Sequence, residues 1–159
     1  VYSEPGQGTT FKIYLPQSQG VPVTKPELRP EREPVGLGQQ ILVVEDEAAV
    51  RELLDQILTS VGYRVTVAAN GGEALLWVEE KGLRPDLLLV DVILPGMDGS
   101  VLAARLQQSR PGLKVLYMSG YTDNIIAHRG VLDPGTHFIQ KPFTMDNLTQ
   151  KVQEVLWSP

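Results

Sequence analysis

The chain has 159 residues, 42% apolar and 21% charged, with a net charge of −5. It holds no cysteine and only two isolated histidines, His128 and His137, which excludes disulfides, thiolate zinc sites and thiol catalysis and leaves oxygen-ligated metals such as magnesium, manganese or calcium. No basic stripe for nucleic acid and no apolar run near the ~20 residues of a membrane span is present, so neither partner is expected of this chain.

The chain opens Val1-Tyr2-Ser3-Glu4, with no initiating methionine and neither the basic nor the apolar region of a signal peptide, so a piece of a longer protein is expected. Thr9–Leu15 is β-rich between glycines and Pro16 and reads as one strand. Residues 17–38 carry prolines at 22, 26, 30 and 34 and no apolar periodicity, the composition of a semi-extended linker. Ile41–Val44 is then a continuous apolar run, as in a strand buried on both faces. Asp46–Val61 has helical spacing through Val50, Leu53, Leu54, Ile57 and Leu58 and stops at Gly62. Tyr63–Ala68 reads as a strand, Gly71–Lys81 as a helix with Ala74, Leu75 and Val78 inward, and Leu87–Val90 as a second fully apolar strand. Ser100–Ser109 reads as a helix, Leu113–Met118 as a strand, Asp123–Arg129 as a short helix, His137–Ile139 as a strand and Thr144–Leu156 as the closing helix.

Five successive βα units imply a parallel sheet with helices on both faces. In such sheets the working site lies beyond the C-terminal strand ends, where the strand order reverses. The residues found there are Glu45, Asp46 and Glu47 after the first strand, Asp91 after the third, Ser119 after the fourth and Lys141 after the fifth. Each has a plain structural reading: Asp46 as a helix cap, Asp91 and Ser119 as turn residues, Lys141 as a solvated loop lysine. Together they read differently. Carboxylates crowded on one rim repel, a divalent cation relieves that repulsion, and hard oxygen ligands suit magnesium. A carboxylate beside such a cation and a lysine can attack phosphorus and form an acyl phosphate, with Ser119 bonding a phosphoryl oxygen.

At these residues the chain resembles the receiver domain of two-component response regulators. The motifs are ILVVEDE (41–47), LLLVDVILPGMDG (87–99), VLYMSGY (115–121) and FIQKPF (138–143), in family order. The resemblance implies an α/β, flavodoxin-like, doubly wound five-stranded parallel sheet of order 2-1-3-4-5 with five helices. It implies Asp91 as phosphoacceptor and Mg2+ (or Mn2+) held by Glu45, Asp46, Asp91 and the backbone carbonyl of Ile93, with Asp46 the more direct ligand of the acidic pair. It further implies Lys141 as the phosphate-binding lysine and Ser119 and Phe138 as switch residues. Glu45 departs from the commoner Asp, Ser119 from Thr and Phe138 from Tyr. The Lys141–Pro142 bond is expected to be cis, aiming Lys141 at Asp91, since an X–Pro bond gives up only ~0.5–1 kcal/mol in that form.

Residues 3–16, SEPGQGTTFKIYLP, resemble the last glycine-containing box and strand of a histidine kinase ATP-binding domain. The expected organisation is therefore a kinase remnant over 1–16, a linker over 17–38 and a receiver over 39–159, the C-terminal module of a hybrid sensor histidine kinase. Such a module has no kinase activity of its own. Its expected partners are the phosphohistidine-bearing dimerisation domain of its own or a cognate kinase and a downstream phosphotransfer protein, in the cytoplasm, whether or not the parent is membrane-anchored. The rival reading is a receiver-like interaction domain that is never phosphorylated. A dehalogenase-like phosphatase is disfavoured because Ile93 stands where its second Asp belongs, and a dinucleotide module because acids replace the glycine-rich turn after strand one.

Overall fold

Two strands that are apolar along their length organise most of the molecule. The computed structural model describes residues 1–14, 36, 38–120 and 136–158. It divides into two compact units, Val1–Glu31 and Arg32–Pro159.

In the first unit, β1 (Tyr2–Glu4) and β2 (Gly8–Thr10) form an antiparallel hairpin. Gly6 at φ 78° turns the chain in a region that L side chains rarely enter. The single strand expected over Thr9–Leu15 is thus a shorter one with an upstream partner. Pairing of Tyr2 with Thr10 brings the ladder almost to Val1, so among the described residues the hairpin ladder ends there. Phe11, Ile13 and Tyr14 remain exposed, and Leu15 lies outside the described residues.

The second unit holds β3 (Gln40–Val44), β4 (Arg64–Ala68), β5 (Leu87–Asp91), β6 (Lys114–Ser119) and β7 (His137–Gln140). Every neighbouring pair is parallel, in the order β4-β3-β5-β6-β7. Counted within this sheet, that is the expected 2-1-3-4-5. The helices are α1 (Ala48–Ser60), α2 (Gly71–Leu75), α3 (Gly99–Ser109) and α4 (Met145–Trp157). The helix expected over Asp123–Arg129 lies outside the described residues.

Side chains alternate across a strand, so the fully buried strands feed two cores. Leu42, Val44, Leu88 and Val90 join Leu102, Ala103 and Leu106 of α3 on one face. Ile41, Val43, Leu87 and Leu89 join Leu54 and Leu58 of α1 and Leu148, Val152 and Val155 of α4 on the other. A strand covered on both faces has no position for a polar side chain until it ends, which is why the apolar runs stop where the charged residues begin.

Two local readings change. The helix expected over Gly71–Lys81 is α-helical only to Leu75 and continues as a π turn over Leu76–Glu80, closed by the Lys81 N–H donating to Leu76 O at 3.0 Å. The wider turn lets the neighbours Trp77 and Val78 both rest on the core. Leu53, part of the apolar helical spacing, is 51% exposed, whereas Leu54 is fully buried.

That contrast sets a prediction. Leu54→Ala is expected to cost about 2–5 kcal/mol of stability, the usual range for emptying a buried leucine site. Leu53→Ala is expected to stay within about 0.5 kcal/mol. Urea unfolding of both variants checks it; equal losses would contradict this packing of α1.

Candidate functional site

Strand register decides what meets at the C-terminal rim. Val44 pairs with Val90, Asp91 with Met118, and Ser119 with Gln140. Glu45 and Asp91 therefore stand level at the ends of neighbouring strands, with Ser119 one residue and Lys141 two residues further along the next two. The ladder continues one step beyond the last pair, with the Lys141 N–H donating to Ser119 O at 2.7 Å.

Oxygens of Glu45, Asp46 and Asp91 all lie within 4.8 Å of one another. Lys141 bridges two of them: Nζ donates to Glu45 Oε2 and to Asp91 Oδ2, each at 2.6 Å. The Lys141–Pro142 bond is cis, as expected. Glu45 is 1% exposed, Asp46 exposed and Asp91 between the two. Burial pushes the Glu45 carboxyl above its ordinary pKa, further than the hydrogen bond and charge of Lys141 pull it down. For Lys141 the balance falls the other way. Burial disfavours its charge, but hydrogen bonds to Asp91 and Glu45 outweigh that and hold its pKa above the ordinary value.

The plain readings of these residues are only partly realised. Glu47, not Asp46, caps α1, and its side chain makes no capping bond. Asp46 is thus left with no helix-capping role. Asp91 does form a turn bond, its Oδ1 accepting from the Ile93 N–H at 2.9 Å, while Oδ2 takes Lys141. The Ile93 side chain stays 56% exposed, so Ile93 serves this loop through its backbone. Ser119 is buried at 2% exposure. Phe138, half-buried opposite Tyr117 of β6, packs against the α3-side core.

Two contributors escaped the sequence reading. Arg51 of α1 donates from Nη1 to Glu45 O at 2.7 Å and to Asp46 O at 3.1 Å. Gly99 begins α3 so close to the phosphoacceptor candidate that a Cβ there would lie 2.1 Å from Asp91 O. Its N–H donates to Val92 O at 3.0 Å, closing the β5–α3 loop. The one available hint for Gly99 was its place at the end of the LPGMDG turn.

Three hard oxygen donors around one point suit a small divalent cation. With the geometry in hand, comparison with known proteins identifies the family: the response regulator receiver domain matches residues 41–153. The chain belongs to that family. The receiver is 38% identical to the sensor kinase CckA of Brucella abortus, over 97% of this chain but 17% of that protein. It is 35% identical to sporulation initiation phosphotransferase F of Bacillus subtilis, over 76% of this chain and 95% of that one. Among solved structures, the receiver domain of the hybrid histidine kinase CckA is 37% identical, with a TM-score of 0.62 over 74% of this chain and 98% of that one. The response regulator TrrA of Thermotoga maritima, solved in complex with Mg2+-BeF, is 30% identical, with a TM-score of 0.62 over 74% and 98% of the two chains. The chain is thus a receiver domain of two-component systems. Among its described residues, no helix is long and apolar enough to cross a membrane.

Two outcomes are expected of this receiver. Gly99→Ala should lower stability by about 1–3 kcal/mol, as overpacking does, and should move the backbone resonances of Asp91 and Val92; unchanged melting and unchanged resonances would contradict the close approach. In metal-free solution, Lys141→Met should raise the pH at which the Glu45 carboxyl titrates, because the only cause left opposing burial is weaker. A carboxyl carbon titration that shows an equal or lower midpoint would remove Lys141 as the group holding Glu45 ionised.

Proposed function

We propose that Asp91 accepts a phosphoryl group from a phosphohistidine, with Mg2+ (or Mn2+) held by Glu45, Asp46, Asp91 and the Ile93 carbonyl. The observation that carries this is the Lys141 ammonium 2.6 Å from Asp91 Oδ2, beside a cluster of three carboxylates within 4.8 Å of one another. An oxygen of Asp91 attacks phosphorus, the bond from phosphorus to the imidazole nitrogen breaks, and its electron pair returns to the ring, which takes up a proton. Lys141 moves with the charge, from Asp91 Oδ2 to an oxygen of the arriving phosphoryl group. Ser119 donates its hydroxyl hydrogen to another phosphoryl oxygen, and Phe138 turns further inward as Ser119 engages. When bound, the divalent cation supplies the remaining neutralisation that phosphoryl transfer requires.

The wider setting we propose is a hybrid histidine kinase, with 1–16 the end of its ATP-binding domain, 17–38 a linker and 39–159 the tethered receiver. The similarity to CckA supports this, since it covers 97% of this chain and so extends beyond the 41–153 family match. The tether raises the concentration of receiver near the donor histidine of the dimerisation domain. The phosphoryl group then passes to a downstream phosphotransfer protein. This chain has neither the ATP-holding boxes nor a donor-histidine motif in its sequence, so it is expected not to phosphorylate itself from ATP. A cytoplasmic setting follows from that partnership.

Incubation with acetyl phosphate and magnesium, followed by intact-mass measurement, is the direct test. One phosphoryl group should add, and neither Asp91→Asn nor metal-free protein should gain it. Equal phosphorylation of Asp91→Asn would sink the nucleophile assignment, and no gain in the wild type would favour an interaction domain that is never phosphorylated.

A further inference from the structure

Arg51 stands where helix electrostatics disfavour it. It lies in the opening turn of α1, next to the free N–H groups whose partial positive charge repels a cation. That turn holds no acidic side chain, and the Glu47 cap makes no side-chain bond. A long helical side chain leans toward the helix N-terminus, and Arg51 follows that lean back to the loop after β3. There a single nitrogen, Nη1, is shared by two successive carbonyls, Glu45 O at 2.7 Å and Asp46 O at 3.1 Å.

That shared bond has a geometric meaning. In extended backbone, successive carbonyls and successive side chains point to opposite sides. Glu45 and Asp46 do neither: their carbonyls converge on one donor, and their carboxylates approach within 4.8 Å of each other and of Asp91. The chain has left its extended path at this step, and the Arg51 guanidinium is the group that bonds both turned carbonyls. Without it, two adjacent acids at a strand end would relieve their repulsion by returning to opposite sides.

We propose that Arg51 is a positioning residue for the divalent-cation site, holding the Glu45-Asp46 backbone so that both carboxylates face one ion. This rests on the reading that Glu45, Asp46 and Asp91 bind that ion. Arg51 bonds carbonyls, so the carboxylate oxygens stay available as ligands. Its charge also offsets carboxylate repulsion from behind the site and remains there when Lys141 turns to a phosphoryl group. Groups that orient metal ligands from outside the coordination sphere commonly change affinity by about 10- to 100-fold.

The test is magnesium titration by calorimetry of the full chain and of Arg51→Met, Arg51→Lys and Asp46→Ala, with thermal melting in metal-free buffer. Arg51→Met should bind magnesium about tenfold more weakly with a melting temperature near that of the wild type, and Arg51→Lys should fall between the two. A purely structural role would lower melting and leave magnesium affinity unmoved, which overturns the proposal. Should Arg51→Met fail to fold, Arg51→Lys decides alone: weaker binding than wild type supports positioning, and wild-type binding overturns it. Asp46→Ala separates the two levels of inference. If it binds magnesium as the wild type does, the metal-site reading itself falls; if it loses binding while the Arg51 variants keep theirs, only the role of Arg51 falls.

Discussion

Everything at the rim depends on how three crowded carboxylates are kept together. Glu45 is nearly buried, and burial alone disfavours its charge. Lys141 reaches it and Asp91 at the same 2.6 Å. A buried carboxylate that loses its partner is costly, by about 3–5 kcal/mol in typical cases. The Lys141 bridge therefore ties the ends of β3, β5 and β7 into one electrostatic unit. It spans residues 96 and 50 positions apart in sequence, so the site exists only when the whole sheet has formed.

The sheet in turn explains why the acids lie at its edge and nowhere deeper. β3 and β5 are sandwiched between two helical layers, and their inner residues are wholly buried. The first position free to carry a charge is the first one past the ladder. Parallel pairing then sets Glu45 level with Asp91, and Ser119 and Lys141 one and two residues further on along the neighbouring strands. Two features refine this coarse placement. Gly99 lets α3 start against the carbonyl of Asp91, where any side chain would collide. Arg51 holds the turned backbone of the acidic pair.

How far the molecule was legible in its sequence follows from the range of each interaction. Ile41–Val44 and Leu87–Val90 were readable because full burial demands an unbroken apolar run, a signal contained in four residues. Glu45, Asp91 and Ser119 were readable because each follows such a run, and Lys141 because it follows the short last strand. The family resemblance supplied the strand order, which no local pattern contains. Leu53 was counted with the apolar spacing because it lies three residues after Val50 and four before Ile57, and only the position of the sheet decides which leucine is covered. The hairpin at Tyr2–Glu4 was missed because its first strand is three residues long and wholly exposed, with no burial pattern to read. The distance from Gly99 to Asp91 belongs to a folded loop and not to a spacing. Arg51 did leave a trace, as a cation in the opening turn of a helix, where the dipole disfavours it, but the trace says only that a partner is needed and not which one.

Under the proposed function, the same bridge that stabilises the rim would also give it a means of communication. Lys141 follows β7 directly, and its N–H is bonded to Ser119 O at the end of β6. Phe138 lies in β7 two pairs back, opposite Tyr117. Lys141, Ser119 and Phe138 are thus carried by one pair of adjacent strands. In the proposed reaction, a phosphoryl group on Asp91 would draw Lys141 off Oδ2 and Ser119 toward new oxygens. Glu45 resists, because its burial keeps it dependent on Lys141. Under the proposed phosphotransfer the Lys141 ammonium would therefore be shared between two sets of partners, and a change of charge at Asp91 would bias that balance. A shift in population between packed arrangements needs no more than such a bias. Phe138 sits on that same strand pair, half-buried against the α3-side core, where the proposed switch would reach it.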